Sequence, residues 1–254
     1  MRPLAPRAAG LGGPFVHLET TASTNEHARL LARAGAPDGT VVAAEEQTAG
    51  RGRQGRSWSA PRGRALTLSV IHRPAPDRAG GVLELLPLVV ALAVCDACEA
   101  IAPVRCEIKW PNDVWIERRK AAGILIEARP TEGWAVIGIG LNVDTAEDEL
   151  GEELRETATS LRIATGRPAD REAALDALLA ALARRLDPGG EGGRERVLSA
   201  FRARDTLAGA RITWRVGDRD GSGEARGIDE LGRLVVFSDD GGRVVLDAGE
   251  VHLG

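Results

Sequence analysis

Tyrosine is absent from the 254 residues, methionine occurs once and aromatic side chains make up 3% of the chain. Base stacking along a single strand needs aromatic platforms, and so thin a supply argues against that role. No apolar run approaches the ~20 residues that cross a bilayer; the longest nearly apolar stretch, Leu85 to Cys95, has 11. The three cysteines, Cys95, Cys98 and Cys106, are an odd number in a long chain and do not suit a disulfide scaffold. Cys95 and Cys98 form a C-x-x-C, but their run reads as helix and no second pair completes a zinc site. They read as small buried hydrophobes on one helix face. Nor does charge of one sign dominate: 33 Lys+Arg against 37 Asp+Glu leave a formal charge of −4, which gives no reason to expect general nucleic-acid or membrane-surface binding. Pro3, Pro6 and the glycines of MRPLAPRAAGLGGP interrupt any signal-peptide core, so a cytoplasmic location is expected.

The scarcest polar residues carry the most information. Of the 33 basic residues only Lys109 and Lys120 are lysine, and the chain holds three asparagines (Asn25, Asn112, Asn142) and two glutamines (Gln47, Gln54). A pressure from outside protein chemistry, such as GC-rich coding, exchanges Lys for Arg and thins the amides wherever the fold does not care. The survivors mark positions where a compact point charge or an amide has no substitute. All seven fall between residues 25 and 142, although the chain continues well beyond.

Ser23-Thr24-Asn25-Glu26 offers N-cap residues for a helix that continues through Ala28, Leu30, Leu31 and Ala34 and closes at Gly35 and Pro37. Thr40–Glu45 and Ala65–Ile71 read as strands around a glycine- and arginine-rich loop, Ala49–Gly63. A mostly apolar helix, Val82–Ile101, follows despite Pro87 near its start. Then come strands at Val104–Lys109, Val114–Ile116, Ala122–Ala128 and Trp134–Ile139, with turns at Pro111-Asn112-Asp113 and Thr131-Glu132-Gly133. Helices over Arg171–Leu186 and Arg194–Arg204 are joined by a flexible DPGGEGG, Asp187–Gly193. After Leu207, short strands at Arg211–Val216, Gly223–Ile228, Leu234–Phe237 and Val244–Leu246 have the pattern of a small β barrel. These features predict an α+β fold, a mixed sheet with packed helices over residues 1–206, followed by a small β domain over 207–254.

Gly50-Arg51-Gly52-Arg53-Gln54-Gly55 matches G-x-G-x-x-G, but a dinucleotide fingerprint must open an apolar helix. Arg56-Ser57-Trp58-Ser59-Ala60-Pro61 cannot be that helix. A loop bearing Arg51, Arg53 and Arg56 can present backbone N–H groups and guanidinium forks to phosphate oxygens, and its like charges predict mobility until an anion arrives. A solvated basic loop and an RNA-binding arginine-glycine segment are the other two readings. Lys109-Trp110-Pro111-Asn112-Asp113 places a cation, an aromatic ring, a rigid turn, an amide and a carboxylate at a strand end, a common position for binding groups. Lys120 opens K-A-A-G-I-L-I-E, where Gly123 permits close approach to the backbone, and Gly138-Ile139-Gly140-Leu141-Asn142-Val143 ends another strand.

Together, STNEHARLL (23–31), EEQTAGRGRQGRSW (45–58), KWPNDVW (109–115), RKAAGILIEA (119–128) and GIGLNV (138–143) make the chain resemble the biotin protein ligases. GEARGIDELGRLVV (223–236) and AGEV (248–251) resemble the SH3-like domain that follows the catalytic domain in that family. The resemblance implies a ligase that converts biotin and ATP into biotinyl-AMP and pyrophosphate, then passes biotin to a lysine of a carrier domain of acetyl-CoA carboxylase or a related carboxylase. Lys120, Arg51 and Arg53 would be catalytic. Ser23, Thr24, Asn25, Gln47, Gly50 and Gly123, with Arg51, Arg53 and Lys120, would bind biotin. Arg51, Arg53, Arg56, Trp58, Lys109, Asn112, Asp113, Lys120 and Asn142 would bind ATP or the adenylate, and Asp113 would hold Mg2+. Some family members carry an N-terminal DNA-binding domain; only about 15 residues precede the catalytic region here, so no DNA-binding role is expected. A homodimer stays open, since an exposed sheet edge could pair but nothing in the sequence marks one. The nearest alternative is a lipoate- or octanoate-attaching enzyme on the same fold, which needs a longer, wholly apolar slot. An RNA-binding protein and an inactive biotin-sensing binder are the other competing readings.

Overall fold

The computed structural model describes residues 4–6, 11–74, 84–187 and 193–254. Val82 and Leu83, expected to begin the long helix, and most of the Asp187–Gly193 connection lie outside them. Seven strands form one mixed sheet in the order β1-β2-β3-β7-β6-β5-β4: β1 (Phe15–Thr21), β2 (Val41–Gln47), β3 (Ala65–His72), β4 (Cys106–Lys109), β5 (Asp113–Ile116), β6 (Arg119–Arg129) and β7 (Trp134–Asn142). Only the β1–β2 pair is parallel.

Side chains along a strand point to alternate faces, and here the two faces are built differently. Ala135, Ile137, Ile139 and Leu141 of β7, Leu66, Leu68 and Val70 of β3, and Ala122 and Ile124 of β6 belong to the main core. Over that face lies α2 (Leu86–Ile101), whose run from Leu86 to Cys98 is almost wholly buried. Pro87 falls in the first turn of α2, where a missing N–H leaves no helical hydrogen bond unmade. Outside α2 pack α4 (Arg171–Arg185) and α5 (Arg194–Arg202); a short α3 (Leu161–Thr165) precedes them. The opposite face carries Val42, Ile71, Trp134 and Val136, covered by Ala28 and Ala32 of α1 (Thr24–Arg33). The expected α1 starts and stops where the sequence predicts, with Ser23 at the N-cap position.

Five further strands form an antiparallel sheet in the order β11-β10-β9-β8-β12: β8 (Arg211–Val216), β9 (Arg219–Ile228), β10 (Leu234–Ser238), β11 (Arg243–Leu246) and β12 (Glu250–Leu253). This is consistent with an SH3-like unit, although no pairing among the described residues joins β11 to β12 and closes the barrel. The Trp110 indole N–H donates to the Gly232 carbonyl at 2.9 Å and fixes this sheet to the β4–β5 turn. The sequence patterns do not disclose β1 and β12. Both are edge strands in which partly exposed residues outnumber buried ones, so alternation is weak.

Candidate active site

Beyond the end of α1, the second face of the sheet loses its side chains. Continuing the alternation of Trp134 and Val136 along β7 leads to Gly138 and Gly140, and Gly140 pairs with Gly123 of β6. A Cβ at Gly138 would lie 2.2 Å from Asn25 Oδ1, and one at Gly140 2.2 Å from Trp58 Cε2. These glycines form the floor of a cavity whose lining also includes Ser23, Thr24, Asn25, Gln47, Trp58 and Lys120.

One side of the cavity is a hydrogen-bonded amide and hydroxyl cluster at the N-terminus of α1. Gln47 Oε1 accepts from the Thr24 backbone N–H at 2.8 Å and faces Thr24 Oγ1 at 3.1 Å. Ser69 Oγ lies 2.8 Å from Thr24 Oγ1 and 2.6 Å from Asn25 Oδ1. Asn25 Nδ2 donates to Glu127 Oε2 at 3.0 Å. The other side is cationic, with Arg51, Arg53, Arg56, Lys109 and Lys120 set against the carboxylates of Asp113 and Glu250. That balance reverses the sign of the whole chain and suits an anionic ligand.

Lys120 reaches the cavity through a bulge. In the β5–β6 pairing Val114 faces Ala122 but Trp115 faces Lys120, so Ala121 is an extra residue. Without it, Lys120 would share the core-facing parity of Ala122 and Ile124. With it, Lys120 joins Asp113, Trp115 and Gly123 on the glycine face, the kind of re-aiming that bulges perform beside active sites. Its ammonium lies 2.8 Å from Asp113 Oδ1 and 5.8 Å from the centre of the Trp58 ring. Lys109 sits 5.0 Å over Trp115, and burial depresses its pKa below the ordinary lysine value.

The arginine loop folds back on itself. Trp58 N–H donates to the Gly50 carbonyl at 3.0 Å, Gly52 N–H to the Arg56 carbonyl at 2.7 Å, and Gln54 takes a left-handed φ of 52°. Arg53 donates to Asn112 Oδ1 at 3.1 Å, and Asn112 Nδ2 donates to the Ile124 carbonyl at 2.7 Å. Arg56 pairs with Glu250 of β12, so the last strand of the chain reaches the cavity. The Trp58 indole rests against the glycine floor, its N–H buried without a partner.

Thirteen of the fifteen expected site residues line this cavity. Gly50 and Asn142 do not. Gly50 lies behind the loop, where a Cβ would meet the Trp58 carbonyl at 2.3 Å. Asn142, expected at the adenine, spends its amide on the Thr159 carbonyl at 3.0 Å, while Thr159 N–H donates to the Lys120 carbonyl at 2.9 Å. It therefore supports the segment that holds Lys120. Sequence reasoning missed Glu250, His252, Ser69 and Glu127. Glu250 and His252 enter from a separate sheet, and Ser69 sits unmarked inside an apolar strand. The described residues hold no group of three His, Cys, Asp or Glu side chains arranged for a metal; Cys95 and Cys98 are buried on α2, as the C-x-x-C reading expects.

Comparison with known proteins places this geometry. Residues 17–144 match the model of the Biotin/lipoate A/B protein ligase family, and residues 208–254 match that of the Biotin protein ligase C terminal domain. The chain belongs to the biotin/lipoate A/B protein ligase family. A biotin--[acetyl-CoA-carboxylase] ligase of Mycobacterium tuberculosis is 38% identical to it over 99% of this chain and 95% of the relative. A bifunctional ligase/repressor BirA of Bacillus spizizenii is 33% identical over 96% of this chain and 75% of the relative. Among solved structures, a biotin protein ligase from Aquifex aeolicus in complex with biotin and ATP superposes with a TM-score of 0.81 at 29% identity, covering 95% of this chain and 98% of that one.

Proposed function

We propose that the chain is an ATP-dependent biotin–protein ligase that forms biotinyl-AMP and transfers biotin to a lysine of a biotin carboxyl carrier domain. One observation carries the reading: a single cavity joins an amide- and hydroxyl-lined head pocket to five cations, of which Lys120 is brought onto the glycine face by the bulge. Ser23, Thr24, Asn25 and Gln47 would hold the ureido head, a group with both N–H donors and a carbonyl acceptor. A lipoyl or octanoyl chain offers nothing to satisfy them and would leave buried polar groups unpaired.

In the first step a biotin carboxylate oxygen attacks the α-phosphorus, the bond to the bridging oxygen breaks and pyrophosphate leaves. Both reacting groups are anionic, so Lys120, Arg51 and Arg53, placed beforehand, reduce their repulsion and stabilise the charge that develops. Arg56, Lys109 and Asn112 would serve the nucleotide, and Trp58 would cover the adenylate and keep water away. In the second step the carrier lysine amine attacks the acyl carbon, AMP leaves and the amine loses a proton. Magnesium takes few protein ligands and several phosphate or water oxygens, and Asp113, one of the two carboxylates lining the cavity, would supply one. When bound, the ion would neutralise phosphate charge. The cytoplasm, where the carrier is made, is the proposed location; among the described residues no helix is long and apolar enough to cross a membrane. The division at residue 207 is proposed as the domain boundary.

ATP–pyrophosphate exchange driven by biotin, lipoate or octanoate tests the reading. Exchange is expected with biotin alone and lost in Lys120→Ala; exchange driven by lipoate or octanoate in place of biotin would transfer the assignment to the other branch of the family.

A further inference from the structure

Two hydroxyl protons serve three contacts in the head pocket. Gln47 has its Oε1 turned toward Thr24 by the Thr24 backbone N–H, and Asn25 has its Nδ2 turned away from Ser69 by Glu127 Oε2 at 3.0 Å and the Leu125 carbonyl at 3.4 Å. The contacts Thr24 Oγ1–Gln47 Oε1, Ser69 Oγ–Thr24 Oγ1 and Ser69 Oγ–Asn25 Oδ1 therefore share the single protons of Thr24 and Ser69. One of the three contacts always lacks a proton, and because Gln47 Oε1 already accepts the Thr24 backbone N–H, the cluster keeps a spare acceptor lone pair. Thr24 and Asn25 are 3% and 4% exposed and Ser69 is fully buried, so solvent has little access to it. A ligand N–H completes the set.

That deficit depends on the orientation of Asn25. If its amide were reversed, Nδ2 would donate to Ser69, all three contacts would carry a proton, the spare lone pair would be used within the cluster, and Oδ1 would face a carboxylate. Glu127 prevents the reversal. Its other oxygen, Oε1, lies 3.8 Å from Arg51 of the loop, so one carboxylate touches both the head pocket and the phosphate-facing cations. We propose that Glu127 is a positioning residue and specificity determinant: it holds Asn25 as an acceptor for a urea N–H and ties the filled pocket to the arginine loop. The proposal rests on the ligase reading above.

Biotin titrated calorimetrically into wild type, Glu127→Gln and Glu127→Ala separates the outcomes. Glu127→Ala is expected to bind biotin roughly tenfold more weakly, the loss of one charged, partly buried hydrogen-bond partner. Glu127→Gln, whose amide oxygen still accepts from Asn25, should stay within about twofold, while trypsin cuts its ligand-free loop at Arg51 to Arg56 faster. A donor–acceptor swap gives a test that does not depend on the alanine variant folding. Asn25→Asp alone faces Glu127 with like charge and loses about tenfold or more, and Asn25→Asp with Glu127→Gln, which restores a donor, recovers to within a few-fold. Unchanged biotin affinity in folded Glu127→Ala, or no recovery in the swap, overturns the proposal while the ligase reading stands. A wild type that binds no biotin overturns both.

Discussion

The two faces of β6 and β7 share a backbone but obey different rules. On one, Ile137, Ile139, Leu141, Ala122 and Ile124 pack beneath α2, and shape and volume decide what is tolerated. On the other, Gly123, Gly138 and Gly140 keep volume out, and around that space the chain places an ordered set of polar groups. A fold held together by its first face can therefore vary the second to choose a ligand. The contrast predicts that substitutions on the glycine face alter the reaction of a stable protein, whereas those on the helix face alter the stability of a competent one.

Lys120→Arg should break the function most severely. The charge survives, but the ammonium sits 2.8 Å from Asp113 and 3.1 Å from the position of a Cβ on Gly123. A planar guanidinium needs more room and points its donors differently. Misplacing a pre-placed charge at a developing anion costs about 100-fold or more in rate, so biotin-dependent exchange should drop by that factor with little change in Tm. An arginine variant retaining more than a third of wild-type exchange would mean that Lys120 supplies only long-range charge.

Gly140→Ala and Ile137→Ala, three residues apart on the same strand, divide the two faces directly. The added methyl at residue 140 would lie 2.2 Å from the Trp58 ring and must displace it. Exchange is expected to fall roughly tenfold, through the KM for biotin, with stability lowered by about 1 kcal/mol or less. Ile137, fully buried, should lose about 2–5 kcal/mol on truncation, yet each folded molecule should turn over at nearly the wild-type rate. Urea denaturation and exchange measured on the same samples check both, and the reverse pattern would overturn the division.

Much of the site is legible in the sequence. The rare lysines and amides flagged Asn25, Gln47, Lys109, Asn112 and Lys120, all of which line the cavity, because a compact charge and an oriented amide are the features arginine cannot replace. Asn142 carried the same signal for a different reason, since its amide supports the Lys120 segment. The face on which Lys120 lies was not legible: K-A-A-G reads as ordinary alternation, and only the pairing of Trp115 with Lys120 reveals the extra residue at Ala121. Glu250 was hidden by distance, because its pairing with Arg56 joins residues from two sheets. Glu127 was hidden by ordinariness, as one carboxylate among 37 acidic residues.

The smallest effect on the reaction should come from a polar group on the helix face. Glu45 continues the parity of Val41 and Ala43 on β2, its side chain 3% exposed, with His17 Nε2 at 2.9 Å and Arg171 at 2.8 Å. Burial raises its pKa, but the hydrogen bonds from His17 and Arg171 and their charges outweigh this and leave it below the ordinary value of 4.5. A carboxylate whose pKa is lowered on folding contributes stability that is full above its unfolded pKa and is lost as pH falls through the folded one. Glu45→Gln should therefore cost about 1–3 kcal/mol near neutral pH, and the gap to wild type should close progressively below pH 4.5. The KM for biotin should not move, because this network faces away from the glycine floor. Melting curves across pH for both proteins measure the first part and exchange kinetics the second. A parallel offset at every pH would assign the loss to packing, and a shifted KM would show that the two faces are coupled through β2.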